Sequence, residues 1–136
     1  MGFRTDLEIR TSAREELIDI TREVNEVVGK LGLKRGCILA FVPHTTAGLL
    51  INEAADPAVG TDILNYLRHR VPHRDGYLHA EGNSDAHIKA SLIGNSQLLM
   101  VDNGEIVLGT WQGLFFAEFD GPRLRKILFG NIDFTG

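Results

Sequence analysis

The chain has 136 residues and a mass of 15.0 kDa, which fits a single domain over residues 1–136. Hydrophobic residues make up 43% and charged residues 24%, which excludes collagen-like, coiled-coil and disordered classes. A net charge of −4 argues against a nucleic-acid or anionic-membrane binder. The single cysteine excludes an intrachain disulfide, and we find neither a signal peptide nor an apolar membrane segment, so we expect a cytoplasmic protein.

The first quarter of the chain predicts a strand followed by a long amphipathic helix. Apolar and polar side chains alternate over residues 3–9, which is the period of a half-buried strand. A capping box at residues 12–15 predicts the start of a helix that ends at Gly29 or Gly32. The apolar stripe of this helix is Leu17, Ile20, Val24, Val27, Val28 and Leu31. Five acidic residues between 15 and 26 lie mostly off the stripe, so we expect them on a solvated face.

The next segments predict two strands and a helix. Residues 37–42 form an apolar run that Pro43 stops, and residues 48–52 predict a second strand. Asp56 precedes a proline, which is a typical helix start, and the helix should end before Pro72.

A polar loop over residues 72–83 leads to a short predicted helix. We place this helix at residues 86–93, capped by Ser84 or Asp85 and closed by Gly94. Beyond it the pattern is all strand.

The C-terminal third predicts four strands. Residues 98–101 and 106–108 flank a hairpin turn at residues 102–105. Two further strands span residues 112–119 and 124–132. About seven strands and two to three helices that do not alternate regularly predict an α+β fold, a two-layer and largely antiparallel β-sandwich.

The turn after the first buried strand is a candidate active-site turn. It delivers His44, Thr45 and Thr46, followed by an alanine and a glycine. A histidine satisfied by a local backbone bond, with threonines that only shape the turn, is an equally open interpretation.

The segment over residues 79–87 carries a stronger signal. His79, Glu81, Asn83, Asp85 and His87 occupy every odd position, and each can bind a metal or transfer a proton. If the segment is extended, all five side chains project from one face. The free N–H groups of the helix that follows could also bind an anion.

From the turn at residues 44–46 and the segment at residues 79–87 together, we predict that His44, His79 and His87 bind one divalent metal, zinc or magnesium. Three imidazoles suit zinc and leave one position open, and Asp85 would hold a ring nitrogen of one ligand. No HExxH motif or pair of CxxC motifs supports zinc by spacing. In the alternative, the histidines bond one another and an anion without a metal.

Three polar residues near the C-terminus are further candidates for binding a substrate. Thr110 and Gln112 lie between two glycines around Trp111, which we interpret as a core residue at a sheet bend. A pocket role for Thr110 and Gln112 is as open as a structural one. Arg123 is the best candidate to bind a phosphate or carboxylate, since a guanidinium binds both groups with two hydrogen bonds. A surface arginine is the default alternative.

Three blocks of this sequence, taken in order, resemble the signature blocks of the YjbQ-like family. They are HTTAGLLINE at residues 44–53, GNSDAHIK at residues 82–89 and GTWQG at residues 109–113. The resemblance implies a compact α+β domain with a β-sandwich, which usually assembles as a homotrimer. It also implies a secondary thiamine-phosphate synthase activity.

In that reaction an aminopyrimidine methyl diphosphate loses pyrophosphate and joins a thiazole phosphate. The resemblance implies catalytic roles for His44, Glu53 and Asp85, with Glu53 as a base. It implies a small phosphorylated substrate bound by Thr45, Thr46, Asn83, Thr110, Gln112 and Arg123. The alternatives are a non-catalytic trimer that binds a metal or a phosphometabolite, and a metal-dependent hydrolase.

Overall fold

The computed structural model describes residues 4–134, which form eight strands and three helices. The strands are β1 (Arg4–Arg10), β2 (Glu16–Asp19), β3 (Gly36–Phe41), β4 (Ala47–Glu53), β5 (Ser96–Asp102), β6 (Glu105–Ile106), β7 (Gln112–Glu118) and β8 (Leu124–Asp133). The helices are α1 (Thr21–Leu31), α2 (Pro57–Arg70) and α3 (Ser84–Ile93). The predicted α+β class is confirmed.

The strands form two antiparallel sheets. A five-stranded sheet has the order β1-β8-β3-β5-β6, and a three-stranded sheet has the order β2-β7-β4. The main core contains Val24 and Val28 of α1 with Ile38, Phe116 and Phe129 of the two sheets, each no more than 1% exposed. Both sheets contribute inward-facing side chains to it, as in the sandwich predicted from the strand pattern.

A second apolar cluster packs α2 and α3 against the three-stranded sheet. Leu67 of α2 and Ala86 and Ala90 of α3 contact Ala117 and Phe119. Because side chains alternate along β7, one face of that strand serves the main core and the other serves this cluster.

The predicted start of the first helix is wrong. Residues 16–19 form β2, which pairs with β7, and α1 begins only at Thr21. The carboxylate of Glu16, and not that of Glu15 in the predicted capping box, accepts hydrogen bonds from the N–H groups of Ser12 and Ala13, so these bonds close a turn before β2 instead of starting a helix. Of the two glycines predicted to end the helix, Gly32 does so, with a left-handed φ of 67°, while Gly29 lies inside it.

Other predicted boundaries differ less. Helix α3 begins at Ser84 with Asn83 as its N-cap, so neither Ser84 nor Asp85 caps it. The hairpin is confirmed, with positive φ at Asn103 and Gly104, although β6 is only two residues long. Asp56 accepts the N–H of Ala58 at 2.9 Å and caps α2 as predicted. The first residue of the predicted N-terminal strand, Phe3, lies outside the described residues.

Trp111 does not belong to the core, since its side chain is 64% exposed. Its interpretation as a core residue is therefore wrong.

The longest helix within residues 4–134 has 14 residues, and none there is both long and apolar enough to cross a bilayer.

Candidate functional site

A cleft of about 440 Å³ lies where the turn after β3, the loop before α3 and the turn before β8 meet. Its walls are Pro43, His44, Thr45, Thr46, His79, Glu81, Asn83, His87, Asp120, Arg123 and Arg125. The fold thus places eight of the candidate residues around one space, including all three histidines of the predicted metal site.

His44 is held by a backbone contact. Its Nε2 accepts a hydrogen bond from the N–H of Lys126 in β8 at 2.9 Å. Burial lowers the pKa of His44, and the positive charge of Arg125 lowers it further. The ring is therefore neutral at neutral pH, with its proton on Nδ1, where it can serve as a hydrogen-bond donor.

Local packing fixes the elements that carry the other two histidines. A Cβ on Gly48 would lie 2.3 Å from the carbonyl oxygen of Gly94, so this glycine allows the end of α3 to approach β4. His87 lies on the first turn of α3, and its ring centroid is 5.2 Å from that of His79 in an edge-to-face arrangement. His73, through Nε2, donates to the carbonyl of Gly82 at 2.8 Å and holds the intervening loop.

The histidines as placed do not fit the predicted metal site. Within residues 4–134, no three histidine, cysteine, aspartate or glutamate side chains are positioned to hold an ion together. The Nε2 lone pair of His44 is already taken by Lys126. The residues converge as predicted, but they form a polar cleft rather than a three-ligand centre.

Beneath His44, a buried ion pair joins Arg125 to Glu118. The residues are 4% and 0% exposed, and the guanidinium binds both carboxylate oxygens. Burial alone would raise the pKa of Glu118, but hydrogen bonds from Arg125, the Asp120 N–H and Thr11 outweigh this and lower it. Nη2 of Arg125 also donates to Oγ1 of Thr46 at 2.9 Å.

Arg125 retains free donors toward the cleft. Its hydrogen bonds within the described part of the chain use Nε and Nη2, and none uses Nη1. Because Arg125 also lines the cleft, its two Nη1 hydrogens are available to a bound anion. Glu118 balances the charge of Arg125, so what Arg125 offers to a phosphate group is this pair of unused donors.

Sequence reasoning missed both members of this pair, although a signal exists. Arg125 lies on the same inward face of β8 as Ile127 and Phe129. Glu118 likewise lies on the same face of β7 as Leu114 and Phe116. A charged residue in the inward phase of each of two strands indicates a buried pair.

Arg123 lies at the mouth of the cleft, where it is tied to the turn before it. Its Nε donates to the Asp120 carbonyl at 2.7 Å, and its Nη2 donates to the Asp120 carboxylate at 3.0 Å. Asn83 donates to the same carboxylate at 2.9 Å, while its own Oδ1 is buried without a hydrogen-bond partner in the described chain. Asn83 therefore offers a ligand one hydrogen-bond acceptor, its Oδ1. Arg123 offers the N–H groups that Asp120 does not use.

Asp85 does not line this cleft. Its fully buried carboxylate accepts two hydrogen bonds from Arg14, at 3.2 and 3.0 Å, and one from Lys89 at 2.9 Å. Lys89 also donates to Glu15 at 2.6 Å, and Glu15 contacts Arg68. We call these five residues the Asp85 network. It ties the loop before β2 to α3, and it places Glu15 in a buried contact rather than on the predicted solvated face.

Three further predicted residues lie at the other end of the three-stranded sheet. Glu53 and Gln112 face each other across β4 and β7, while Ala47 pairs with Glu118 at the cleft end. The six intervening steps correspond to about 20 Å. Thr110 is exposed beside them. The fold of one chain therefore does not bring Glu53, Thr110 and Gln112 to the cleft.

The known proteins that this chain resembles in sequence belong to one family. A model of the family described as UPF0047 protein YjbQ-like matches residues 5–133. A UPF0047 protein of Methanocaldococcus jannaschii is 53% identical over 119 residues, which cover 88% of this chain and 86% of that protein. The UPF0047 protein YugU of Bacillus subtilis is 49% identical over 120 residues, covering 88% and 91%.

Solved structures agree with this placement. An uncharacterized YjbQ/UPF0047 family protein of Clostridium acetobutylicum superposes with a TM-score of 0.90 at 49% identity, covering 94% of this chain and 99% of that one. A protein of unknown function from Sulfolobus solfataricus superposes with a TM-score of 0.91 at 33% identity, covering 98% and 99%.

Proposed function

The chain belongs to the UPF0047 YjbQ-like family, and from that premise we propose that it is a cytoplasmic transferase of the thiamine-phosphate synthase type. The observation that carries the proposal is Arg125, a buried arginine whose Nη1 has no hydrogen-bond partner within residues 4–134 and which lines the histidine cleft. Such a group favours a phosphorylated small molecule, because free guanidinium donors are satisfied best by phosphate oxygens.

The proposed reaction needs charge stabilisation more than covalent help from the protein. The bond between the methylene carbon of the aminopyrimidine and its diphosphate breaks, and the diphosphate leaves with the electron pair. The thiazole nitrogen forms a new bond to that carbon. Arg125 and the free N–H groups of Arg123 would stabilise the charge on the leaving diphosphate, as preorganised donors do.

His44 would act as a neutral donor in this site. Its Nδ1–H can donate to a phosphate oxygen while Lys126 fixes the ring from the other side. The acid–base role that the family resemblance implied for Glu53 would pass to His79 or His87, whose rings border the cleft. In this proposal, side chains of the protein supply both the charge stabilisation and the acid or base.

A homotrimer is part of the proposal, and the outer face of the five-stranded sheet supports self-association. Leu39 lies opposite Leu98 on this face, and Cys37 lies between Met100 and Ile132. Leu98, Met100 and Ile132 are each at least 60% exposed. A contiguous apolar face of this kind marks an interaction surface. Light scattering should give about three times the chain mass of 15.0 kDa, and a monomer at micromolar concentration would contradict this.

The test of the activity is a coupled measurement of both products. Purified protein is mixed with the aminopyrimidine methyl diphosphate and the thiazole phosphate, and thiamine phosphate and pyrophosphate are quantified together. The proposal expects equal amounts of the two products. It also expects at least a tenfold loss of kcat/KM in Arg123→Gln, while Arg22→Gln, a change at an exposed arginine outside the cleft, keeps the activity.

Other outcomes identify the competing functions. Phosphate or pyrophosphate release without thiamine phosphate would show transfer to water and hence a hydrolase. Saturable binding of the diphosphate without any product would indicate a non-catalytic binder. Equal activity in the wild type and Arg123→Gln would remove Arg123 from the site.

A further inference from the structure

A second, apolar hollow adjoins the histidine cleft. It has a volume of about 380 Å³ and is bounded by Tyr77, Leu78 and Ile88 together with His79 and His87. The two histidines also border the polar cleft, so one pair of rings separates the two spaces. A ligand that reaches past these rings would place one part among the arginines, histidines and carboxylates of the cleft and another part among carbon atoms.

The walls of the hollow are held in place. The hydroxyl of Tyr77 donates to the carbonyl of Pro72 at 2.6 Å, which fixes the orientation of the aromatic ring. The far end of the same loop is held by the His73 contact with Gly82. Ile88 projects from α3, which the Asp85 network anchors through Asp85 and Lys89. A preformed pocket of this kind needs little ordering when a ligand binds.

Leu78 is the exception to this packing, since it is fully exposed at the edge of the hollow. An exposed leucine is ordinary on a protein surface. Here, however, it borders an apolar hollow next to a charged cleft, so a ligand that spans both spaces would cover it. Aromatic rings at three positions, Tyr77, His79 and His87, favour a flat ring that stacks on a face or meets an edge.

We propose that the hollow binds the aromatic ring of a small phosphorylated compound whose phosphate group lies in the histidine cleft. This inference rests on the proposed function, because it takes the cleft as the phosphate site. It assigns Tyr77, Leu78 and Ile88 as the residues that select the organic part of the substrate, independently of the reaction that follows.

The test compares two phosphate monoesters of the same charge. Calorimetry measures the dissociation constants of methyl phosphate and phenyl phosphate for the wild type, Leu78→Ser, Ile88→Ser and Leu92→Ser. Leu92 is the matched control, because it is a 65% exposed leucine of α3 that borders neither space. We expect phenyl phosphate to bind the wild type and Leu92→Ser at least tenfold more tightly than methyl phosphate. In Leu78→Ser and Ile88→Ser the ratio should fall below about threefold, with methyl phosphate unaffected.

Each contrary result has a separate meaning. Equal affinity of the wild type for the two esters overturns the aromatic hollow and leaves the phosphate cleft standing. Binding of neither ester overturns the phosphate cleft and the hollow together. A fall in molar mass of Leu78→Ser in light scattering would show that the leucine is a contact between subunits, which also overturns the proposal.

Discussion

In two ionic groups of this protein, the Arg125–Glu118 pair and the Asp85 network, an arginine binds a buried carboxylate through two nitrogens, with different consequences. In the Asp85 network, both terminal nitrogens of Arg14 bind the Asp85 carboxylate, and Lys89 is shared between two carboxylates. In the Arg125–Glu118 pair, Nη1 has no hydrogen-bond partner in the described chain and the arginine borders a cleft. Both arginines keep some unused donors, but those of Arg125 belong to a residue that lines the cleft, which is why we propose Arg125 and not Arg14 as the binding cation.

The largest expected effect is on stability, at the Asp85 network. Asp85→Ala leaves the buried Lys89 and the partly buried Arg14 without their shared partner. Lys89 keeps its contact with Glu15, but Arg14 loses the carboxylate that binds both its terminal nitrogens and the buried Lys89 loses one of two, so the free energy of unfolding should fall by about 3 kcal/mol or more. Urea unfolding followed by circular dichroism measures this change. A loss below about 1 kcal/mol would show that the network is not structural.

The next effect is on anion affinity, at the ion pair. Arg125→Lys keeps the charge but loses the planar fork, so pyrophosphate should bind at least tenfold more weakly by calorimetry. Arg14→Lys is the matched control: it should lower stability and leave pyrophosphate affinity unchanged. If the two variants lose the same affinity, the distinction between binding and structural arginines is wrong.

A graded effect is expected with pH. Burial opposes ionisation of Asp85 and Glu118, but their hydrogen bonds outweigh burial and lower both pKa values in the folded protein. Between the folded and unfolded pKa values the unfolded chain binds more protons, so these groups stabilise the fold fully above about pH 5 and progressively less as pH falls below about 4. The lowered pKa of His44 adds a decline that begins below about pH 6.5. Urea unfolding from pH 8 to pH 3 measures the curve, and Asp85→Asn should flatten its acid limb. Stability that rises on acidification would contradict these directions.

The smallest effect is expected where the Asp85 network reaches solvent. The Arg68 side chain is 50% exposed, although its Nε contacts Glu15 at 2.8 Å. Arg68→Ala should therefore cost no more than about 1 kcal/mol, because exposed ion pairs are screened by water. A loss as large as that of Asp85→Ala would show that the network acts as one unit.

Local patterns predicted much of the fold. The proline after Asp56, the turn at Asn103 and Gly104, and the glycine at position 32 each depend on backbone geometry over a few residues, and each is confirmed. The predicted start of the first helix failed because Leu17 and Ile20 have helical spacing, yet residues 16–19 pair with β7. Pairing with a strand about 100 residues away leaves no local trace.

The candidate site, like the fold, has features that the sequence predicted and features that depend on distant parts of the chain. The sequence by itself determined the family, the α+β class and the three candidate histidines, one after a strand, one in a loop and one at the start of a helix, because these depend on motifs and on short-range periodicity. Tertiary structure alone decided which residues share a space. It joined His44 to His79 and His87, withdrew Asp85 into an ionic network, and left Glu53 and Gln112 at the far end of the sheet. It also placed Arg125 in the lining of the same cleft as His44, with an Nη1 group that has no hydrogen-bond partner in the described chain. The reason is physical: whether a charged side chain binds a ligand or a neighbour depends on which groups the folded chain brings within hydrogen-bond distance, and those groups come from positions far apart in sequence.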